Sequence, residues 1–129
     1  IDDDIDFFSA DLSFISLCKV LPAIRGVISE SCEGVCLIKP QFEAGREKVG
    51  KNGVIRDSKV RIETINKIIN FCLNNGFSVK GLDFSPIKGP KGNIEYLLYV
   101  EKSEKAEIFS GIDIKGTERI SNEELNNKE

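Results

Sequence analysis

The run from Val35 to Ile38 most constrains the fold of this chain, because four consecutive apolar residues leave it no polar face. Strands of this kind lie inside parallel sheets that helices cover on both sides. Pro40 ends the run, since proline has no N–H for the ladder and keeps the preceding residue out of a helical conformation. That residue, Lys39, is therefore held at the carboxyl end of a buried strand.

The position of Lys39 is chemically informative. Open α/β sheets bind their ligands outside the carboxyl ends of their strands. A lysine part-buried there can have its pKa lowered enough to act as a base. The alternative is a lysine whose ammonium only reaches from the strand end into water.

Segments of strand and helix character alternate along the chain. The predicted elements are a strand at 5–10, a helix at 16–28 with Pro22 inside it, a strand at 35–38, a helix that begins at Asp57 or Ser58 and is ended by Gly76, and strands at 77–84 and 94–100. The glycine-containing loop at 40–56 is too long for a simple connector. This order predicts an α/β fold with two crossover connections and an antiparallel last strand pair, hence a mixed sheet.

The chain divides into a predicted domain at 1–101 and a polar tail at 102–129, in which Ser121 and Glu124 indicate one short helix. No apolar run is long enough to span a membrane, and no signal segment opens the chain. The absence of methionine, including at position 1, indicates a piece of a longer translation product.

Four cysteines, at positions 18, 32, 36 and 72, contain no CxxC pair. Buried free thiols in a cytoplasmic protein are the expectation, with no metal site. A zinc site using Cys32 and Cys36 is the weaker alternative, because the chain has no histidine. The lack of histidine also excludes Ser-His-Asp and Cys-His catalysis, so acid–base chemistry must come from other side chains.

Charge is segregated along the sequence. Residues 39–91 carry 11 basic and 5 acidic side chains, although the net charge of the whole chain is −3. Basic clusters bind phosphate backbones. The alternative is charge spread over solvated helix and loop faces.

Three candidate catalytic residues converge by topology. Asp11 ends the first predicted strand, Lys39 ends the second, and Glu95 lies at the start of the last. If the last strand runs antiparallel, its start lies at the same sheet edge as the ends of the parallel strands. We therefore expect the three side chains to meet in one crevice.

Four segments of the chain resemble the TlyA family, in order and in spacing. They are Asp11–Leu17, Ile38–Arg46, Val49–Asp57 and Ser85–Glu95. This family, often labelled hemolysin A, comprises S-adenosylmethionine-dependent ribosomal RNA 2′-O-methyltransferases with an FtsJ-like domain. The resemblance covers residues 5–101 and implies the carboxyl half of a Rossmann-like methyltransferase domain.

The resemblance also implies roles for residues. Of the family's Lys-Asp-Lys-Glu catalytic tetrad, Asp11, Lys39 and Glu95 match the last three members. Lys39 would be the base for the ribose hydroxyl, Asp11 would orient it, and Glu95 would complete the network. The implied contacts with the phosphates of ribosomal RNA, free or in a subunit, come from six basic residues: Arg46, Lys48, Lys51, Arg56, Lys88 and Lys91. Leu12, Ser13 and Phe14 are implied to border the cofactor cleft.

Several parts of the family pattern lie upstream of this chain. They are the first lysine of the tetrad, the glycine-rich cofactor motif and an RNA-binding domain. The resemblance therefore implies that this piece is inactive alone. It also implies that the strand ending at Asp11 lacks a neighbour, so either self-association through that bare edge or a rearranged amino terminus is expected.

Two further readings compete with the enzyme. A non-catalytic RNA-binding module would keep the fold and the basic loops without needing Lys39. Membrane lysis, which the hemolysin label implies, has no support in the sequence, because there is no spanning segment and no long basic amphipathic helix.

Overall fold

A four-stranded mixed sheet organises the chain. The structure, a computed structural model, describes residues 7–11, 16–45, 48–50 and 53–126. Its strands are β1 (Phe7–Ala10), β2 (Glu33–Ile38), β3 (Phe77–Phe84) and β4 (Tyr96–Lys102), and its helices are α1 (Leu17–Arg25), α2 (Pro40–Glu43), α3 (Ser58–Asn74) and α4 (Ile114–Asn126).

The strand order in the sheet is β1-β2-β4-β3. β1 and β2 are parallel, while β4 is antiparallel to both of its neighbours. The mixed sheet and the antiparallel last pair are thus confirmed. β4 enters the sheet between β2 and β3, so its first residue pairs with the last residue of β2.

Local sequence accounts for the helix boundaries. Ser16 caps α1, accepting a hydrogen bond from the Cys18 N–H, and Asp57 caps α3 in the same way through Lys59. Gly76 follows α3 at φ +83, a conformation that glycine adopts without strain. These features agree with the predicted starts of both helices.

Some boundaries differ from the predictions. α1 ends at Arg25 rather than near 28, and Val27 is exposed. β4 begins at Tyr96 rather than at 94 and continues to Lys102. The long loop contains the short helix α2, which begins at Pro40 because proline suits the first helical position.

The predicted polar tail contains a helix that is integrated into the core. α4 is 13 residues long and packs against α3 and β3. Ser121 is fully buried within α4 instead of capping a helix start, so that part of the prediction is wrong. Its hydroxyl lies 2.9 Å from the Tyr96 hydroxyl, and burial raises the pKa of Tyr96 to about 12. The boundary between a domain and a tail near residue 101 stays a prediction.

A buried ion pair joins α3 to α4. Arg61 Nη1 donates to Glu118 Oε2 at 3.0 Å, and both residues are only 3% exposed. Arg61 Nη2 also donates to the Ile55 carbonyl at 3.1 Å. Removing one member would leave a buried charge without compensation, which costs far more than the pair itself contributes.

Replacing Glu118 by alanine should therefore destabilise the chain by about 3–5 kcal/mol in urea unfolding. The matched control is Glu123→Ala on the same helix, which removes an exposed pair with Arg119 at 3.4 Å. That change should cost no more than about 1 kcal/mol. Equal losses in the two variants would show that the buried pair does not hold α4.

Candidate active site

The carboxyl ends of β1 and β2 and the start of β4 meet at one edge of the sheet. Ile38 pairs with Tyr96, so Lys39 and Glu95 each lie one residue beyond the same pair. Ala10 pairs with Cys36 in the parallel ladder, which places Asp11 beside the end of β2. The structure thus brings Asp11, Lys39 and Glu95 to one edge, as the topology predicted.

Asp11 and Lys39 form an ion pair, with Lys39 Nζ 2.6 Å from Asp11 Oδ1. The lysine side chain is 9% exposed, whereas that of the aspartate is 65% exposed. Lys39 has extended φ and ψ angles and Pro40 follows it as the first residue of α2. The buried side chain and the fixed backbone of Lys39 therefore hold its ammonium next to the solvent-exposed carboxylate of Asp11.

Glu95 is buried and held by a residue that the sequence reasoning missed. Gln41 Nε2 donates to Glu95 Oε2 at 2.9 Å. The other amide atom, Gln41 Oε1, is buried and has no hydrogen-bond partner among the described residues. The sequence offered one indication of the role of Gln41, which is its position two residues after Lys39, at the start of a turn.

Gly89 lies directly against the Glu95 carboxylate. A Cβ built at Gly89 would lie 2.0 Å from Glu95 Oε2, a separation that atoms cannot adopt. Because the glutamate is only 5% exposed, it has little room to move away. Glycine at this position therefore lets the 88–92 loop approach the carboxylate closely.

Glu43, a second residue that the sequence reasoning missed, anchors the start of α1. Its carboxylate accepts from Ser16 Oγ at 2.6 Å and from the Leu17 N–H at 2.8 Å. A negative charge at a helix amino terminus is stabilised by the helix dipole. The α2 turn after Lys39 is thereby joined to the helix that follows β1. The predicted cofactor residues Leu12, Ser13 and Phe14 lie outside the described residues.

The four described members of the predicted RNA-binding set line two different depressions. Arg46 and Lys51 lie outside the described residues. Arg56, Lys88 and Lys91 line one cleft, together with Arg61. Lys48 lines a different depression and forms an ion pair with Glu63 at 2.9 Å.

The four cysteines are free thiols, and three of them are buried. Burial, with a smaller contribution from the Glu43 carboxylate, raises the pKa of Cys36 to about 12. Burial raises the pKa of Cys72 as well. These two thiols therefore stay protonated near neutral pH and are poor nucleophiles.

Neither a candidate metal site nor a membrane-spanning helix is present among the described residues. Within ranges 7–11, 16–45, 48–50 and 53–126, no three His, Cys, Asp or Glu side chains are grouped so that they could hold a metal ion. Across the same ranges, no helix has the length and apolarity needed to cross a membrane.

Comparison with known proteins supports the resemblance. Residues 1–102 match the FtsJ-like methyltransferase family. The chain is 38% identical over 110 residues to the 16S/23S rRNA (cytidine-2′-O)-methyltransferase TlyA of Mycobacterium tuberculosis, covering 84% of this chain and 41% of that protein. It is 46% identical over 90 residues to hemolysin A of Brachyspira hyodysenteriae, covering 70% of this chain and 38% of that protein.

A solved structure from Lactococcus lactis that bears a hemolysin name has the same fold. The TM-score is 0.91 at 47% identity, with 95% of this chain and 58% of that chain covered. The chain therefore spans only part of the length of the relatives that it matches. Sequence and structure agree on its ancestry: it belongs to the FtsJ-like methyltransferase family.

Proposed function

We propose that this chain is the carboxyl part of an enzyme that methylates the ribose 2′-hydroxyl of cytidine in ribosomal RNA, with S-adenosylmethionine as donor. The observation that carries the proposal is the 2.6 Å pair of Lys39 and Asp11 at the sheet edge that also holds Glu95. The TlyA relative, whose name includes this activity, supports the choice of substrate. The expected compartment is the cytoplasm, where free thiols persist.

The described residues supply the side of the reaction that accepts the methyl group. A ribose hydroxyl is a weak nucleophile until it loses its proton. Lys39 in its neutral form would take that proton on Nζ as the new bond forms. The Asp11 carboxylate would then stabilise the ammonium, and Glu95, fixed by Gln41, would complete the polar edge.

S-adenosylmethionine would supply the methyl group. The described residues fit the acceptor side of such a reaction, since they offer a base and two carboxylates at one edge. Leu12, Ser13 and Phe14 would border the cofactor cleft, as the family resemblance implies. We infer that upstream parts of the domain are also needed, and that the present chain does not methylate RNA by itself.

Substitution of Lys39 tests the base directly, in the chain extended through the rest of its domain. Lys39→Arg keeps a cation beside Asp11 but cannot release its proton near neutral pH. We expect it to lower methyl transfer to ribosomal RNA by about 10²–10⁴-fold, as Lys39→Ala should, without unfolding the protein. The measurement is transfer of radiolabelled methyl groups. Full activity in Lys39→Arg would exclude Lys39 as the base.

Calorimetry tests where the cofactor binds. We expect S-adenosylmethionine to bind the extended chain and not the 129-residue chain, because the implied glycine-rich motif lies upstream. Binding to the shorter chain would contradict this division of the site. Binding to neither would favour the alternative function, a non-catalytic RNA-binding module, which the separate basic cleft at Arg56, Lys88 and Lys91 also supports.

Self-association through β1 is a further part of the proposal. In the described sheet β1 is an edge strand, and Phe7 is 60% exposed. Edge strands present unpaired backbone groups to other chains, and lysine at an edge opposes such pairing. We expect light scattering to detect dimers of the 129-residue chain, and Phe7→Lys to reduce them. Val27→Lys, which alters an exposed apolar residue off the sheet, should leave them unchanged. A monomer at every concentration would refute the proposal.

A further inference from the structure

The buried amide of Gln41 is unfavourable for folding. The residue is 9% exposed, and its Nε2 donates to Glu95 Oε2 at 2.9 Å. The carbonyl end of the same amide, Oε1, is buried and has no hydrogen-bond partner among the described residues. A buried acceptor without a partner lowers the free energy of unfolding, and an apolar side chain of the same shape would avoid this loss. The presence of an amide here therefore needs a reason other than stability.

The Glu95 carboxylate is enclosed on a second side by the backbone of the loop that joins β3 to β4. A Cβ built at Gly89 would lie 2.0 Å from Glu95 Oε2. The Gly89 N–H donates to the Asn93 carbonyl at 2.7 Å, and the Ser85 N–H donates to the Glu95 carbonyl at 2.8 Å, so this loop is closed by its own hydrogen bonds. The carboxylate thus lies between the Gln41 amide and a fixed backbone, with little room to rotate.

A neutral donor suits this position. A buried carboxylate is costly unless a donor satisfies its oxygens. A lysine or arginine in place of Gln41 would supply a donor but would also add a cation at the edge where Lys39 already lies. The amide of Gln41 satisfies Glu95 Oε2 without cancelling the charge of the carboxylate.

The backbone of α2 fixes Gln41 and Lys39 together. Pro40, between them, has a locked φ angle. The Lys39 carbonyl accepts from the Glu43 N–H at 3.0 Å, and the Glu43 carbonyl accepts from Lys67 Nζ at 2.8 Å. One rigid turn therefore carries both the candidate base and the donor that holds the carboxylate, so the two cannot move independently.

We propose that Gln41 is a positioning residue for methyl transfer, which holds the Glu95 carboxylate in one orientation at the cost of folding stability. This inference rests on the proposed function, in which Glu95 lies at the same edge as Lys39. Because its amide is buried, Gln41 acts through Glu95 and does not bind the nucleotide. Polar groups that are fixed in advance stabilise developing charge without reorganisation, and residues that lower stability are typical of functional sites.

The cost in stability is tested by urea unfolding of the 129-residue chain. Methionine has nearly the shape of glutamine and no amide. Gln41→Met removes the donor from buried Glu95, and Glu95→Met leaves the amide without its acceptor, so each should lower the urea midpoint. The double variant removes both polar groups, and its midpoint should equal or exceed that of the unchanged chain. A midpoint below that of the unchanged chain would overturn the proposal.

Steady-state kinetics test the positioning role, in the chain extended through the rest of its domain. We expect Gln41→Met to lower kcat for methyl transfer to ribosomal RNA by about 10²-fold, because a displaced catalytic group costs a factor of this size. The KM for RNA should not change, since Gln41 does not bind it. An unchanged kcat, or a change confined to KM, would refute the role.

Ser121→Ala is the matched control for a loss of stability alone. It removes a buried hydrogen bond, since the Ser121 hydroxyl lies 2.9 Å from that of Tyr96 on the α4 side of the sheet. We expect a lower urea midpoint and an unchanged kcat, with both variants assayed below their unfolding temperatures. An equal loss of kcat in Ser121→Ala would assign the effect of Gln41→Met to stability and overturn the proposal.

Lys39→Arg separates this proposal from the proposed function. Full activity in Lys39→Arg beside a low kcat in Gln41→Met would exclude Lys39 as the base and support the role of Gln41. Loss of activity in Lys39→Arg beside a normal kcat in Gln41→Met would refute the role of Gln41 and leave the proposed function intact.

Discussion

The pairing of β2 with β4 is the constraint on which the rest of the structure depends. β4 inserts antiparallel between two strands that run the same way, so the residue that enters it faces the residue that leaves β2. Charged residues that are 56 positions apart in the sequence, Lys39 and Glu95, are thereby brought to one edge. A one-residue shift in this register would move every side chain of β4 to the opposite face and separate Lys39 from Glu95.

Buried side-chain hydrogen bonds then fix the loops at that edge. Gln41, Glu43 and Asn93 each join two segments that are distant in sequence, and each is at most 9% exposed. A buried polar group without a partner is costly, so such contacts favour one loop arrangement strongly over others. Gly53 and Gly89 contribute differently, because the lack of a side chain lets Lys91 lie close to the first and Glu95 close to the second.

The sheet and the edge that holds the candidate site could be predicted from the sequence because they follow from local patterns. Apolar runs, caps and strand ends identify the elements, and topology places Asp11, Lys39 and Glu95. Gln41 and Glu43 could not be found in this way, since their partners are distant along the chain. The packing of α4 could not be predicted either, because its sequence is polar. The burial of Glu118 and Ser121 depends on their distant partners, Arg61 and Tyr96. The surroundings of Lys48 likewise depend on an acid elsewhere in the chain, Glu63, with which it forms an ion pair.

The position of Asn126 at the rim of the basic cleft has a thermodynamic consequence. This last described residue of α4 lines the cleft. The ion pair of Glu118 with Arg61 also joins α4 to a second residue that lines the cleft. An anion that contacted Asn126 would therefore bind more tightly to those members of the ensemble in which α4 is docked. By linkage, binding of the anion would stabilise the docked state of α4. Undocking of α4 would weaken the affinity for the anion by the same factor. Docking of α4 and binding of the anion would thus favour each other.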